Sequence, residues 1–255
     1  MDYSHFLPRL SAARRRELED RLRAIILPRR VARMQEILDR RTRRVTVLFE
    51  DVYHPHNASA VMRTAECFGV QDVHVVERDK RFRPSTDVVR GAARWLTMRR
   101  HGAMGEAAAA LRESGYVLAA TSVDPGSVPL GELPVDRPLA LCFGTEETGL
   151  SREALDLADL HVHVPMEGFT ESLNVSVTAA LCLRELTARV REGADWRLSE
   201  AERDDLRLVW LMQEGNKARA LTVELLRGWD LVGAGRGDAD VNDDSPPASP
   251  SSPLV

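Results

Sequence analysis

The sequence predicts an α/β fold built on a parallel sheet of about five or six strands. A β-branched run at 45–50 and a second at 72–77 flank a helical stretch that ends at Gly69. Such a strand–helix–strand unit requires parallel pairing. Further strands are expected at 95–99, 116–121, 138–143 and 160–164. A Rossmann-like strand order would satisfy the same pattern.

Helices are expected between and outside these strands. Apolar residues at helical spacing predict two short amphipathic helices in 11–44, separated at Pro28, and two more at about 199–213 and 217–226. Asn57 and Ser151 are expected to cap helices, and 172–191 should form one long helix. Helical additions should therefore precede and follow the sheet-forming segment in the sequence.

The composition is that of a globular chain without a membrane segment. Of 255 residues, 44% are hydrophobic and 29% are charged. No apolar run approaches the ~18 residues that a membrane span needs, and the first residues lack a signal-peptide core. We expect a cytoplasmic protein with no membrane partner. The segment 235–255, rich in Pro and Asp, is expected to be disordered.

The cysteine and histidine patterns predict no metal site. Three cysteines lie among apolar neighbours without Cys-x-x-Cys spacing, which favours buried reduced thiols: Cys67, Cys142 and Cys182. Two histidine pairs lack a third or fourth ligand at zinc spacing: His54 with His56, and His161 with His163.

Positive charge is concentrated at the start of the chain. Residues 1–44 contain thirteen Arg against six Asp or Glu, a local charge of +7 in a protein whose net charge is −4. Arginine presents a planar fork that suits phosphate oxygens. This arm is predicted to bind phosphates, although a solvated helix face would give the same composition.

Three polar-rich stretches follow predicted strands, at 54–70, 141–151 and 165–183. The first contains His-Pro-His-Asn and Arg63, the second reads Phe-Gly-Thr-Glu-Glu-Thr-Gly, and the third contains Ser-Leu-Asn-Val-Ser. In order and spacing, from about residue 45 to 183, they resemble the three signature motifs of the SpoU (TrmH-type) family of RNA ribose 2'-O-methyltransferases, in the SPOUT superfamily.

The resemblance implies several properties that spacing alone does not. These are methylation of a ribose 2'-hydroxyl with S-adenosyl-L-methionine, a SPOUT-type parallel sheet with a C-terminal trefoil knot, and a homodimer with its site built across both chains. The general rule is against knots, so the knot comes only from the resemblance. The implied domains are an RNA-binding arm at 1–44, a methyltransferase domain at 45–193, a helical extension at 194–234 and the tail.

The resemblance also assigns residues to roles. Those matching the catalytic positions are Arg63, Asn57, Glu146, Ser172 and Asn174. Those matching the cofactor positions are Ala120, Thr121, Gly144, Val164, Met166, Ser172 and Leu173. Those matching RNA-contacting positions are Arg30, Arg33, Arg41 and His56.

Physical chemistry refines these roles. A guanidinium has a pKa above ~12 and is almost never neutral in a protein, so Arg63 is better suited to grip a phosphate and stabilise a developing alkoxide than to act as a base. Ser172 and Asn174 could equally be plain helix caps, and Val164, Met166 and Leu173 could be core residues. The second motif lacks the Gly-Lys-Ser/Thr ending of a P-loop, which excludes that class of nucleotide hydrolysis.

The predicted substrate is tRNA, at the D-loop guanosine 18. Ribosomal-RNA relatives usually carry a separate α/β RNA-binding domain before the catalytic one, whereas only Arg-rich helices fit here. A 23S rRNA methyltransferase and a catalytically silent RNA-binding protein are the alternatives. One stretch departs from the family: Arg-Gly-Ala-Ala-Arg-Trp at 90–95 stands where relatives often have Gly-Gly-Ser-His-Lys-Trp.

Overall fold

The computed structural model describes residues 3–51, 55–77, 82–124, 126–170 and 172–232. They fall into two compact units. One comprises residues 32–204, and the other combines the residues before 32 with those after 204. Residues before 32 of the predicted arm and residues after 204 of the predicted extension therefore belong to one unit, whereas residues 32–44 and 194–204 belong to the other.

The larger unit is built on a parallel sheet, as predicted. Its strands are β1 (Val45–Glu50), β2 (Asp72–Val76), β3 (Thr97–His101), β4 (Val117–Thr121), β5 (Val128–Pro129), β6 (Leu139–Phe143) and β7 (Leu160–His163). Their order is β3-β2-β1-β6-β4-β7-β5, and every pair is parallel. The two-residue edge strand β5 was not predicted, because so short a strand has no periodicity to detect.

Nine α-helices occur in the described residues. They are α1 (Ala12–Ile25), α2 (Pro28–Leu38), α3 (Pro55–Cys67), α4 (Thr86–Val89), α5 (Met104–Glu113), α6 (Arg152–Leu157), α7 (Val175–Val190), α8 (Glu200–Met212) and α9 (Gly215–Gly228). Short 3-10 helices lie at Ser4–Arg9, Ala92–Trp95 and Leu130–Glu132. None of the described helices is long and apolar enough to cross a membrane.

Alternation along β1 sends its side chains to two different cores. Val45, Val47 and Phe49 join the core under α3 and α7. Leu48 joins the core under α5 and α6. Since successive strand residues face opposite sides, a fully buried strand has apolar residues on both faces, as β6 and most of β1 do.

The later strands insert between earlier ones. β6 lies between β1 and β4, and β7 lies between β4 and β5. After β7 the chain returns as α7, which packs on α3, β1 and the 3-10 helix Leu130–Glu132. Arg189 near the end of α7 donates to the carbonyl oxygens of Leu130, at 3.2 Å, and Leu133, at 2.7 Å. This return course places the start of α7 beside the strand ends.

The smaller unit is helical and rich in ion pairs. α1 packs on α9, and Leu18 and Leu22 of α1 are fully buried. Arg15 pairs with Asp205. Two further ion pairs link the N-terminal and C-terminal segments that form this unit: Arg207 with Glu19 at 3.0 Å and Arg30 with Glu214 at 2.8 Å.

Several local predictions meet a clear outcome. Pro28 is the first residue of α2, and Ser151 caps α6 by accepting from Ala154 N at 3.1 Å. Gly69 ends its helix with a φ of 78°. Cys67 was wrongly predicted to be buried: it is exposed in the last turn of α3, whereas the other two cysteines are buried.

Two histidines of neighbouring strands form a buried pair. His74 Nδ1 lies 3.0 Å from His101 Nε2, and the rings are stacked with 5.3 Å between centroids. Burial, with smaller contributions from His101 and Arg99, lowers the pKa of His74 to about 3. Burial also lowers the pKa of His101. Both rings are therefore neutral near pH 7.

This pair predicts acid sensitivity of the fold. Because the unfolded chain protonates His74 near pH 6.5 and the folded chain only near pH 3, stability should fall as the pH drops between these values, by about 1.4 kcal/mol per pH unit. Urea unfolding at pH 4.5 to 7.5 measures this. His74→Phe should have a shallower pH dependence than the wild type. Equal slopes in both chains would contradict the prediction, and His5→Phe, at an exposed position, is the control.

Candidate active site

A cavity of about 550 Å³ lies at the carboxyl ends of β6, β4 and β7. This is the edge at which open α/β sheets bind ligands, and the volume suits a small organic molecule. Four segments form its wall: 121–124 after β4, 143–150 after β6, 162–166 at β7, and 172–178 at the start of α7. Two of the three predicted motifs thus meet at one cavity.

The segment after β6 is a tightly closed loop. Thr145 and Gly149 exchange two backbone hydrogen bonds of 3.0 Å each, and the Thr145 and Thr148 hydroxyls lie 2.7 Å apart. A Cβ at Gly144 would lie 2.1 to 2.2 Å from backbone atoms of Gly149 and Leu150. Only glycine at 144 allows this closure.

The start of α7 presents a polar network to the cavity. Asn174, not Ser172, is the N-cap of α7: its Oδ1 accepts from Ser176 N at 2.8 Å and from the Ser176 hydroxyl at 2.6 Å. Its Nδ2 donates to Glu146 Oε1 at 2.8 Å. Ser172 lies before the helix, exposed, and lines the cavity. Three predicted catalytic residues are thus brought together.

Most of the predicted cofactor residues line the cavity. They are Thr121, Gly144, Val164, Met166, Ser172 and Leu173. The Thr121 hydroxyl donates to Cys142 O at 2.8 Å, which ties the end of β4 to β6. Ala120 does not line the cavity, because the alternation of β4 buries its side chain in the core under α5 and α6.

The predicted residues of the first motif lie elsewhere, on α3. His56 is exposed and Asn57 is partly exposed. Asn57 was predicted as the cap, but α3 begins at Pro55, so Asn57 lies in the first turn. Arg63 is exposed and makes no hydrogen bond or ion pair with any residue that the structure describes. None of the three lines the cavity of its own chain. His54 lies outside the described residues.

The predicted RNA-binding arginines differ in their surroundings. Arg33 is exposed and pairs only with Glu36 of its own helix, at 2.9 Å. Arg30 pairs with Glu214. Arg41 is 1% exposed and donates to Glu66 and to Val70 O, each at 2.9 Å. Because it is buried and already paired, Arg41 is not placed to bind phosphate. The sequence did not reveal this, since it cannot distinguish a buried arginine from an exposed one.

A buried carboxylate links the end of β1 to the second motif, and sequence reasoning missed it. Glu50, at the end of β1, is 3% exposed. Its two oxygens accept from Ser151 N at 2.8 Å and from the Ser151 hydroxyl at 2.5 Å. The next residue, Asp51, has a φ of 48°, in the left-handed region. The polar residue ending an apolar strand was the available signal.

Among the described residues, no cluster of three or more His, Cys, Asp or Glu has the arrangement of a metal site. Of the two histidines at 161 and 163 on β7, His163 has a hydroxyl as its neighbour: its Nδ1 lies 2.8 Å from the Ser127 hydroxyl.

Comparison with known proteins gives the chain a family. Residues 44–184, more than half of the chain, match the SpoU rRNA Methylase family. The chain belongs to this family. A relative in Borreliella burgdorferi, named tRNA (guanosine(18)-2'-O)-methyltransferase, is 39% identical over 193 residues, which are 75% of this chain and 88% of the relative.

Solved structures of the SpoU family share the fold. The Aquifex aeolicus TrmH/SpoU tRNA modifying enzyme is 27% identical with a TM-score of 0.67, over 74% of this chain and 98% of that chain. The SpoU methyltransferase AviRb from Streptomyces viridochromogenes, solved in complex with its cofactor AdoMet, is 26% identical with a TM-score of 0.51, over 62% of each chain.

Closure of the 144–149 loop predicts that Gly144→Ala weakens ligand binding at the cavity. The added Cβ must displace backbone rather than a flexible side chain, so the loop opens and Glu146 loses Asn174. Calorimetric titration with S-adenosylhomocysteine would measure the loss, expected to exceed tenfold. Gly131→Ala is the control, since a Cβ there meets nothing within 4 Å. Retained wild-type affinity in Gly144→Ala would contradict the role of the loop.

Burial predicts that Arg41→Ala destabilises the fold by about 3 to 5 kcal/mol, because it leaves the Glu66 carboxylate and Val70 O without their donor. Arg33→Ala, at an exposed pair, should change stability by less than about 0.5 kcal/mol. Urea unfolding would measure both. If Arg41→Ala were as stable as the wild type and only weakened RNA binding, the structural role would be wrong.

Proposed function

We propose that this protein methylates a ribose 2'-hydroxyl of tRNA, at guanosine 18 of the D-loop, with S-adenosyl-L-methionine as the methyl donor. The observation that carries the proposal is the Glu146–Asn174 hydrogen bond at the mouth of a cavity of cofactor size. A binding protein with no catalytic role has no need to join two motifs there. The name of the Borreliella burgdorferi relative and its 88% coverage support the tRNA position.

The cavity fits the chemistry of the proposed cofactor. Its wall combines apolar side chains, among them Val164 and Leu173, with backbone groups of the closed loop and of the segment after β7. An adenine ring can be held by such apolar contacts and backbone hydrogen bonds without a charged side chain. When bound, S-adenosyl-L-methionine supplies an electrophilic sulfonium methyl group.

The task of the protein is to position the ribose hydroxyl and to manage one proton. Asn174 is held by three hydrogen bonds, which orient its amide toward Glu146. Ser172 lines the cavity, and its hydroxyl has no hydrogen bond with any described residue. Rigid placement of reacting groups lowers such a barrier by ~7 to 11 kcal/mol, so this preorganised network is the main contribution of the third motif.

Arg63 supplies the remaining group. A ribose 2'-oxygen that gives up its proton carries negative charge, which needs a partner. The exposed Arg63 guanidinium, which has no ion pair with any described residue, would bind the adjacent phosphate and stabilise this charge, and the phosphate would accept the proton. Asn57 and His56, on the same helix, would contact the RNA.

A homodimer would complete the site. Arg63 does not line the cavity of its own chain, so the site needs a second copy to bring the two together. The structure supports this with apolar side chains left exposed around the start of α7. They are Phe169 at 109%, Leu173 at 39%, Val177 at 46% and Leu181 at 44%. Exposed apolar clusters of this kind mark protein–protein contacts.

The proposed C-terminal trefoil knot is supported by the insertion of β6 and β7 between earlier strands and by the return of α7 to the other side of the sheet. The protein would act in the cytoplasm.

The test is incubation of the purified protein with labelled S-adenosylmethionine and unmodified tRNA or rRNA transcripts, followed by mapping of the methylated ribose. We expect a single methyl group at the D-loop guanosine. Arg63→Ala should retain most of the RNA affinity but lose methyl transfer by about 10²- to 10³-fold, because the charge-stabilising group is absent. Arg152→Ala, at an exposed pair on α6, should retain full activity.

The outcomes separate the hypotheses. Methylation of rRNA alone would retain the chemistry but overturn the tRNA substrate. Tight tRNA binding with no methyl transfer to either RNA would establish the silent binder instead. Unchanged turnover in Arg63→Ala would refute the role of that arginine.

A further inference from the structure

A basic strip lies beside α3, formed by Arg83, Arg90, Arg94 and Trp95. It belongs to the segment between β2 and β3, in which α4 and the 3-10 helix Ala92–Trp95 both pack on α3. Because α7 packs on α3 as well, α3 has the cavity-bearing helix and the strip as its two neighbours. The methylation site proposed above does not use any of these four residues.

The strip is firmly attached to the fold. Phe82, Val89, Ala92 and Leu96 are each less than a tenth exposed and belong to the core under α3. The backbone is fixed by two side chains. Ser59 of α3, fully buried, accepts from Ser85 N at 2.8 Å, and Gln71 Nε2 donates to Trp95 O at 3.2 Å. The four strip residues are therefore carried on an ordered support.

The backbone of the strip adopts an uncommon conformation. Arg90 has a φ of 44° and Gly91 a φ of 78°, so two successive residues are left-handed. A non-glycine residue in this region is uncommon, and such strain concentrates at ligand-binding segments. At this turn the packed α4 gives way to the 3-10 helix that carries Arg94 and Trp95.

The side chains of the strip suit an RNA ligand. The Arg94 guanidinium lies over the Trp95 ring, 4.4 Å from its centroid, and forms a planar cation–aromatic pair. Arg83 and Arg90 are exposed and have no hydrogen-bond or ion-pair partner among the described residues. By contrast, the arginines at 15, 21, 23, 30, 33 and 41 are all in ion pairs. Arg83 and Arg90 thus retain positive charge that ion pairs neutralise at these arm positions.

We propose that the strip binds the RNA next to the methylated nucleotide, with an unpaired base stacked on the Arg94–Trp95 pair and backbone phosphates at Arg83 and Arg90. The inference rests on the proposed function, because it takes Arg63 of α3 as the group beside the target ribose. Unpaired bases are recognised by stacking on aromatic rings and guanidinium planes, and phosphates by guanidinium forks. The strip would then determine which sequences and loops around the target are accepted.

The test uses two variants of the full chain. One combines Arg83→Gln with Arg90→Asn, since Asn tolerates a left-handed φ. The other is Arg94→Gln. Each should raise the KM for tRNA by about tenfold or more while leaving the KM for the cofactor unchanged and kcat within about twofold. The double variant should also reduce the salt dependence of tRNA affinity by about 1.5 in slope, for two lost phosphate contacts.

The control is Arg152→Gln, an exposed arginine on α6, which packs on the opposite face of the sheet. It should leave the KM for tRNA and the salt slope unchanged. Thermal unfolding of every variant would establish that the fold is intact. The same kinetic measurements on an isolated D-arm hairpin test where on the RNA the strip binds. The increase in KM of the strip variants should persist on the hairpin, because the proposed contact lies next to the target nucleotide.

Three results would overturn the proposal. The first is that both strip variants have the same KM for tRNA and the same salt slope as the wild type, while the wild type transfers methyl. This result would leave the proposed function intact. Another is a defect that disappears on the hairpin, which places the contact far from the target. The third is equal loss in Arg152→Gln, which makes the effect one of net charge. Absence of methyl transfer by the wild type would overturn the proposed function, and direct tRNA binding by the same variants would still test the strip.

Discussion

The close approach of Gly144 to the backbone of Gly149 and Leu150 is the constraint on which the candidate site depends. A Cβ at 144 would lie within 2.2 Å of those atoms, so the loop can close only because no side chain is present. Closure fixes Glu146 where Asn174 can donate to it. Glu50 fixes the other end of the loop by holding Ser151, the cap of α6. One buried carboxylate and one missing side chain therefore set the geometry of the second motif.

The parallel sheet converts this local geometry into a site. Because every strand runs in the same direction, the segments after β4, β6 and β7 all emerge at one edge. Neighbouring strands in the sheet are not neighbours in sequence, so motifs that are far apart in the chain meet there. The return of α7 across the sheet brings Asn174 to the same edge.

The sequence predicted what depends on local pattern and spacing. The six longer strands, the cap at Ser151 and the helix end at Gly69 follow from such signals. The predicted residues that line the cavity came from the family resemblance of the motifs. Sequence reasoning failed where the outcome depends on which face or partner a side chain meets. Ala120 is turned away by strand alternation, Asn57 lies inside a helix that begins earlier, and Cys67 is exposed. The order of the strands in the sheet cannot be predicted from the periodicity of apolar residues.

Charge shows the same difference between composition and structure. The arginine-rich arm suggested one phosphate-binding surface, yet Arg15, Arg30 and Arg41 are engaged with Asp205, Glu214 and Glu66. Such ion pairs hold helices together and leave less charge for a ligand. Among the described residues, exposed guanidinium groups without an ion pair lie at Arg63 on α3 and at Arg83 and Arg90 beside it. The arm retains others, at Arg16, Arg29 and Arg40. Since a polyanion is attracted by unpaired cations, the surface around α3 can orient RNA although its arginine content is lower than that of the arm.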